Sequence, residues 1–419
     1  MVKVSVVIPC YNVEQYIHEC MESVLSQTLY DMEVICIDDG STDGTLSILG
    51  DYGAKTDKIR IIKQQNLGSG IARNNGIEAA TGEYIAFMDA DDFYPSADTL
   101  EKVYSAAKRN GAAICGGSLC TYRNGAYTKE GFKKGYTFLT EGWVDKKDFP
   151  TMSGYWRFIY NAAFIKGRQI FFPDYLRCQD PPFFLTAIAG AGRVYCLKDI
   201  TYVYRKEHKQ APFTQKKAID YAKGMRDSLM ISKRDGLSAA YQQILFEMHG
   251  KSTALMYLFG RDNHEMREVI HQINEVIGDE NGSDGICPML KEGDEIAKYV
   301  RDVADEKQEL LQDLRNEKRV LIYGAGTVGK RVYALLKKNH IAVESFVVTS
   351  MKQNALFQDG LQVRCIDDYI NIKDECNIVI ATFPCLQKEI EGILLDKGFM
   401  KVFPLPLEKF YLFEEDITY

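Results

Sequence analysis

The chain has 419 residues, of which 46 % are hydrophobic and 26 % are charged; this composition is typical of a globular protein and excludes a fibrous or disordered one. Its length allows two or three domains of about 150 residues each. The formal net charge of −7 argues against a general nucleic-acid binder, because such proteins usually present a basic face.

The cysteines and the apolar stretches point to a cellular compartment. Eleven cysteines are scattered along the chain without a Cys-x-x-Cys pair, which favours reduced thiols in a cytosol over a disulfide framework. No signal peptide is expected, because no basic segment and apolar run open the chain. No apolar stretch approaches the roughly 18 residues of a membrane span. We therefore predict a cytoplasmic protein with at most peripheral contact at the inner face of the membrane.

Residues 1–110 alternate strand-like and helix-like segments. Short β-branched runs suit strands that are buried on both faces, and they lie at 4–9, 32–39, 59–64 and 83–91. Amphipathic segments between them lie near 14–27, 43–53 and 69–80. This rhythm predicts an α/β fold with a mixed, mainly parallel sheet flanked by helices. Polar clusters follow each strand, at the edge where open α/β sheets bind their ligands.

The remainder of the chain suggests three parts in all. Residues 111–213 are irregular and complete a first domain, 1–213. Residues 214–317 are predicted to be a mostly helical connecting region, which could also pair subunits into a homo-oligomer. The strand and helix rhythm then returns, so we predict a small Rossmann-like α/β domain over 318–419 with an unknown ligand.

Three acids stand at the end of the fourth predicted strand: Asp89, Asp91 and Asp92. Each carboxylate raises the cost of ionising the next one, so a cation is expected to join them. Carboxylate oxygens suit Mg²⁺ or Mn²⁺. The alternative is that Asp91 or Asp92 caps the next helix, and the Asp-x-Asp pattern alone does not decide between the two.

Three sequence blocks occur in a characteristic order: VVIPCYNVEQYIHECMESVLSQT, CIDDGSTDGT and NLGSGIARNNGIEAATGEYIAFMDADD. Together they resemble the inverting family 2 glycosyltransferases with the GT-A fold, over roughly residues 1–210. The resemblance implies a UDP-sugar donor, a divalent metal and a single sugar transferred to a lipid-linked or protein-linked glycan in polysaccharide biosynthesis. The Q-x-x-R-W signature of processive synthases is missing, which favours single additions.

The resemblance also implies a set of donor-binding residues: Pro9, Tyr11, Asn12, Glu14, Asp39, Arg73, Asp89 and Ala90. Asp39 would accept a hydrogen bond from the base, and Asp89 would lie near the ribose. Tyr11 would place its ring against the base or be a surface aromatic. Glu14 would contact the ribose or sit in the first helical turn. Arg73 would lie near the base or phosphate, with a surface arginine as the alternative.

Metal, base and acceptor residues follow from the same resemblance. Asp91 is the expected direct metal ligand, and His208 matches a position that can reach the diphosphate or metal, although a lone histidine is more often structural. Asp180, in LRCQDPPFFLTAIAGAG, matches the general base, with Gln179 in place of the usual glutamate. A helix N-cap is the competing role of Asp180, and both can hold. Trp156 would contact the acceptor sugar or belong to the core.

A second glycine signal lies near the C-terminus. Gly324, Gly326 and Gly329 form a G-x-G-x-x-G pattern after a predicted strand, a loop that can bring an anion to a helix N-terminus. Dinucleotide binding would need an acid at the end of the next strand, where Thr349 and Ser350 stand instead. An NAD(P)-dependent oxidoreductase or a nucleotide-binding scaffold is therefore the alternative function. The other interpretation is that the glycines serve only strand–helix packing.

Overall fold

The computed structural model describes residues 1–123, 125–128, 136–206, 214–248, 263–277, 305, 308–315, 317, 319–351, 357–381 and 384–404. These residues form two compact units, and each unit is built round its own sheet. No helix in the described part of the chain is long and apolar enough to cross a membrane.

The first unit contains a nine-stranded sheet. Its strands are β1 (Val4–Cys10), β2 (Met32–Asp38), β3 (Ile59–Lys63), β4 (Tyr84–Phe87), β5 (Ile114–Arg123), β6 (Ala126–Thr128), β7 (Gly142–Asp145), β8 (Phe158–Asn161) and β9 (Arg193–Arg205). The order is β3-β2-β1-β4-β8-β5-β9-β7, and β6 pairs with β5. The four strands β3-β2-β1-β4 are parallel, whereas β8 pairs antiparallel with both β4 and β5.

Helices cover this sheet. They are α1 (Ile17–Leu25), α2 (Thr45–Gly53), α3 (Ser69–Ala79), α4 (Thr99–Asn110), α5 (Ala162–Gly167), α6 (Asp180–Ala191), α7 (Gln215–Asp235), α8 (Ser238–Met248) and a further helix His264–Ile277. β1 and β2 are apolar on both faces because each face of the sheet is covered, and nearly all of their residues are buried. A short 3-10 turn, Tyr155–Arg157, precedes β8.

The second unit holds a six-stranded sheet. Its strands are β10 (Arg319–Tyr323), β11 (Val343–Val348), β12 (Phe357–Gln358), β13 (Leu361–Cys365), β14 (Cys376–Ile380) and β15 (Lys401–Pro404). The order is β12-β13-β11-β10-β14-β15, and every pair is parallel except β12 with β13. Helices Thr327–Lys338 and Pro384–Asp396 and a 3-10 stretch Ile366–Glu375 complete the unit.

The predicted fold class is confirmed by this architecture. All four strands expected in residues 1–110 form, and β4 is shorter than its predicted run because the chain leaves the sheet after Phe87. The first predicted helix starts later than expected, at Ile17, because residues 11–14 form a loop bonded to the start of α2. The proposed domain boundaries at 213 and 317 stay predictions.

Candidate active site

The carboxyl ends of β1, β2 and β4 meet at one edge of the first sheet, as parallel strands must. Asp39 follows β2 there and is only 3 % exposed. Its carboxylate accepts hydrogen bonds from Gln64 Nε2 (2.7 Å), Leu67 N (2.8 Å) and Gly68 N (2.9 Å). Asp39 therefore orders the loop that leads into α3, which places that loop beside the end of β2.

The loop after β1 is bonded to the start of α2. Asn12 has a left-handed backbone with φ of 52°, and its side-chain oxygen accepts a hydrogen bond from the Thr42 amide at 2.8 Å. Glu14 Oε2 accepts from the Gly44 amide at 2.7 Å. Glu14 therefore lies in the loop before α1 and not in the first helical turn, because α1 begins at Ile17; its contact with a ribose stays a prediction. Tyr11 is 46 % exposed, so its ring is accessible to a flat ligand.

Arg73 lies at the centre of the site. Its side chain comes from α3 and is buried, with 4 % exposure, although a surface arginine was the alternative. One terminal nitrogen contacts Asp89 Oδ1 at 2.7 Å and the other contacts Asp180 Oδ1 at 3.4 Å. The rings of Tyr155 and Phe172 lie 5.2 Å and 5.4 Å from the guanidinium carbon. A single cation thus joins two acids from distant parts of the chain.

Asp180 is the first residue of α6, and its side chain keeps 35 % of its surface exposed. Burial by the surrounding protein raises the pKa of Asp180, and the neighbouring charge of Asp89 adds to this, whereas Arg73 and Arg177 oppose it. Gln179 occupies the N-cap position without a side-chain cap bond, and its Nε2 donates to Ser69 Oγ at 2.9 Å. A carboxylate with a raised pKa and an open face has the properties of a general base.

Asp89, Asp91 and Asp92, the three acids that follow β4, lie in different environments. Asp92 is 1 % exposed and accepts hydrogen bonds from Tyr202 Oη (2.7 Å) and the Arg205 amide (2.8 Å). Burial raises the pKa of Asp92, and the negative charges of Asp91 and Asp89 raise it further. Helix α4 begins only at Thr99, after Asp98, so the interpretation of Asp91 or Asp92 as its cap is wrong.

Asp91 is the predicted metal ligand, and it lies in the segment that follows β4. Asp89, Asp91 and Asp92 stand within four consecutive residues, so three carboxylates lie close together in the chain. Carboxylate oxygens are the donors that Mg²⁺ and Mn²⁺ prefer. The described residues include no ready-made group of three or more His, Cys, Asp or Glu side chains for a metal. His208, the other predicted ligand, lies outside the described residues.

Two side chains from β9, Tyr202 and Arg205, were missed from the sequence. Tyr202 Oη also accepts a hydrogen bond from the Asp89 amide at 3.1 Å. Arg205 Nε donates to the Asp91 carbonyl at 2.9 Å, and its guanidinium pairs with Glu19. The alternation of tyrosines in TYVYR was a signal for Tyr202, because every second side chain of a strand lies on one face.

Trp156 lies in an aromatic stack. Its ring centroid is 4.2 Å from that of Tyr202, with the planes 25° apart, and 5.8 Å from that of Tyr204, with the planes 9° apart. The side chain is half-buried, so part of its surface stays accessible. Tyr202 also forms hydrogen bonds with Asp89 and Asp92. Trp156, the predicted acceptor-binding aromatic residue, is therefore close to the acids that follow β4.

The C-terminal glycine loop belongs to the second unit and follows β10. Gly324 has φ of 112°, in the left-handed region that favours glycine. A Cβ at Gly329 would lie 1.9 Å from the Gly324 carbonyl oxygen, whereas one at Gly326 would meet open space. Close strand–helix packing therefore accounts for two of the three glycines.

A GT-A-like sheet with acids gathered at its carboxyl edge defines the class of the first unit. Residues 5–164 match the family described as "Glycosyl transferase family 2". This part of the first unit is therefore similar to the family 2 glycosyltransferases.

Similar proteins agree with this assignment. The chain is 34 % identical over 217 residues to "Uncharacterized glycosyltransferase EpsJ" of Bacillus subtilis, covering 48 % of this chain and 61 % of that protein. It is 34 % identical over 207 residues to the poly(ribitol-phosphate) beta-glucosyltransferase of Bacillus spizizenii, covering 48 % of this chain and 32 % of that one. The match therefore spans less than two thirds of either relative.

A solved structure extends the likeness to the fold. Residues 1–349 of S. aureus TarS, crystallised in complex with UDP, are 25 % identical to this chain with a TM-score of 0.51. That alignment covers 66 % of this chain and 80 % of the TarS chain. The complex of TarS with UDP-GlcNAc superposes with a TM-score of 0.57 at 23 % identity, which supports the same fold.

Proposed function

We propose that this protein is an inverting glycosyltransferase that moves a single hexosyl or N-acetylhexosaminyl group from a UDP-sugar to a hydroxyl of a glycan acceptor. The acceptor is proposed to be a lipid-linked or protein-linked glycan of polysaccharide biosynthesis. The observation that carries the proposal is Arg73, whose one guanidinium contacts both Asp89 and Asp180. The donor-side acids and the candidate base are therefore neighbours within one site.

Asp180 is proposed to act as the general base. It removes the proton of the acceptor hydroxyl as that oxygen attacks the anomeric carbon from the side opposite the diphosphate, so the product anomer is inverted. The partly open side chain supports this role, since the acceptor must reach it. Arg73 keeps the carboxylate pointing into the site, and its positive charge favours the ionised form that can accept a proton.

The other predicted residues form the donor side. Tyr11 offers its exposed ring to the base, and Asp39 holds the 64–68 loop beside it. Asp91 would hold a Mg²⁺ or Mn²⁺ ion, which when bound offsets the charge of the departing diphosphate, and Asp89 would lie near the ribose. The TarS complex with UDP supports a UDP donor, and the glucosyltransferase relative supports a glycan or polyol-phosphate polymer as the acceptor class.

The alternative function at the C-terminal glycine loop has less support. β11 ends at Val348, and the next residue is Thr349 rather than an acid that could bind a ribose. The Thr349 hydroxyl forms a hydrogen bond of 2.6 Å with Tyr323 Oη. Gly329 is required for packing against Gly324. An oxidoreductase built on this loop would also leave the acids of the first unit without a role.

One assay tests the proposal and its alternative. UDP release is measured from a panel of UDP-sugars with Mn²⁺, with and without EDTA, beside a titration with NAD⁺. We expect release from at least one UDP-sugar and its suppression by EDTA. Release that continues in EDTA would overturn the metal dependence. Tight binding of NAD⁺ with no binding of UDP would favour the alternative.

A further inference from the structure

The loop that precedes the candidate base, residues 173–179, is held from two sides. We call it the base loop. On one side it contacts α3: Gln179 Nε2 donates to Ser69 Oγ, and Asn74 exchanges two hydrogen bonds of 2.8 Å with the backbone of Phe172 just before the loop. The other side faces α7, which lies beyond the segment that matches the family. The position of Asp180 therefore depends on both helices.

Helix α7 presents three residues to the base loop at a spacing of four and three, which places them on one face of the helix. Asp220 is fully buried; its Oδ2 accepts the Leu176 amide at 2.9 Å, and its Oδ1 accepts Lys216 Nζ at 2.6 Å. Asp227 Oδ2 accepts the hydroxyl of Tyr175 at 2.7 Å. Two carboxylates thus bind the backbone and a side chain of the same short loop.

Gly224, the third residue on this face, packs closely against the loop. A Cβ at this position would lie 2.3 Å from the carbonyl oxygen of Cys178 and 2.8 Å from its Cβ. Cys178 itself has φ of 63°, a left-handed conformation that is uncommon outside glycine and persists only when neighbouring contacts hold it. This backbone lies two residues before Asp180, so the approach at Gly224 bears directly on where α6 begins.

We propose that Asp220, Gly224 and Asp227 of α7 are positioning residues that set the location of Asp180 opposite Arg73, an inference that rests on the proposed function. They do not touch the reacting atoms. They hold the base loop in a backbone conformation that α3 contacts alone do not impose. Helix α7 is therefore part of the catalytic apparatus and not merely a connection to the rest of the chain.

The sharpest test is Gly224→Ala, because one methyl group would push against the Cys178 carbonyl. We expect kcat for transfer to fall about 10–100-fold, the cost of a small displacement of a reacting group. The affinity for UDP should stay within about threefold, since the donor residues lie elsewhere. Gly50→Ala is the matched control: Gly50 is an exposed helix residue of α2 with open space round its Cβ, and its variant should keep wild-type kcat.

A milder pair of variants guards against a folding defect. Tyr175→Phe and Asp227→Ala each remove the same hydrogen bond, so their effects on kcat should be similar and should not add in the double variant. Tyr104→Phe is the control, since it removes a hydroxyl–carboxylate bond of 3.0 Å to Glu83 at a distance from the loop. Asp220→Asn should retain more activity than Asp220→Ala, because its amide oxygen can still accept the Leu176 amide.

A measurement that does not depend on catalytic activity, the pKa of Asp180, distinguishes this inference from the proposed function. Arg73 on α3 lowers the pKa of Asp180, so a displacement of Asp180 from Arg73 in Gly224→Ala should raise that pKa. The other charges that face Asp180 are Asp89 after β4 and Arg177 in the base loop. The pKa is measured by carboxyl ¹³C NMR. Absence of UDP release from the wild-type protein would overturn the proposed function alone. A folded Gly224→Ala protein with wild-type kcat, or with an unmoved Asp180 pKa, would overturn the inference.

Discussion

The two sheets of this protein share a design and differ in chemistry. Each has parallel strands followed by helices, and each has a loop at the carboxyl end of a central strand. At the edge of the first sheet, Arg73, Asp89 and Asp180 come together from three segments. At the glycine loop of the second sheet, the described contacts include a packed glycine pair and a hydrogen bond between Tyr323 and Thr349.

The comparison shows that a motif and a site are different things. Three glycines in the correct spacing permit an anion to approach, but backbone packing needs two of them in any case. The acids of the first sheet have no such explanation, because gathering like charges costs free energy unless an opposite charge joins them. Charged groups that converge from distant segments are therefore the better evidence of function.

The largest effect is expected for Asp180→Asn. Loss of the base should lower kcat by about 10³-fold, within the range of general-base catalysis, while UDP affinity stays unchanged. Transfer kinetics and calorimetric UDP binding measure the two quantities. Asp51→Asn, an exposed carboxylate on α2, is the control. Near-normal turnover in Asp180→Asn would show that another residue acts as the general base.

The same variant has a thermodynamic signature. Folding raises the pKa of Asp180, so its ionised form costs stability, and this cost appears as the pH rises through the raised pKa. At pH 7 a neutral asparagine should therefore leave Tm equal or slightly higher. A clear fall in Tm would show that the carboxylate stabilises the fold.

Arg73→Gln should have the next largest effect, since it removes the cation between Asp89 and Asp180. We expect kcat to fall about 100-fold, similar to the loss of a preorganised charged group. Because Arg73 lowers the pKa of Asp180, the acid limb of the kcat/KM profile should also move to higher pH. A pH–rate profile checks this, with Arg60→Gln as an exposed control. An acid limb that stays at the same pH in Arg73→Gln would show that Arg73 does not influence the pKa of the base.

Tyr202→Phe should have a smaller effect on activity. It leaves the Trp156 stack intact but removes the hydroxyl that bonds Asp92 and the Asp89 amide. We expect unfolding free energy to fall by about 1–3 kcal/mol, the cost of buried groups left without a partner, and kcat to fall several-fold. Tyr84→Phe loses a buried hydroxyl bond of 3.0 Å elsewhere and should lose stability without losing kcat. Equal kcat in both variants would show that the acid loop does not need Tyr202.

The smallest effects are expected at the glycine loop. Gly329→Ala should destabilise the second unit by about 1–3 kcal/mol through overpacking against Gly324. Gly326→Ala should change the free energy of unfolding by less than about 0.5 kcal/mol, because the added Cβ would meet open space. Both should retain transferase activity and are compared by calorimetry. A large loss of activity in Gly326→Ala would give the loop a functional role.

The sequence predicted the first four of the nine strands of the first sheet and the acids that follow two of them. Buried β-branched runs located β1 to β4, because a strand covered on both faces must be apolar throughout. Asp39 and Asp89 were expected at the strand ends, and Asp180 was expected near them. The contact of Arg73 with both Asp89 and Asp180 was not predicted, because the three residues are far apart in the chain and no local pattern records their pairing.

What the sequence by itself determined is the periodicity of the elements and the identity of the acids, since both are local properties. What only the tertiary structure decided is the environment of each acid. Asp92 is buried beneath Tyr202 and Arg205, while Asp180 stays partly open beside Arg73. The physical reason is that burial and neighbouring charge set the state of a carboxylate, and both are supplied by segments that meet only when the chain folds.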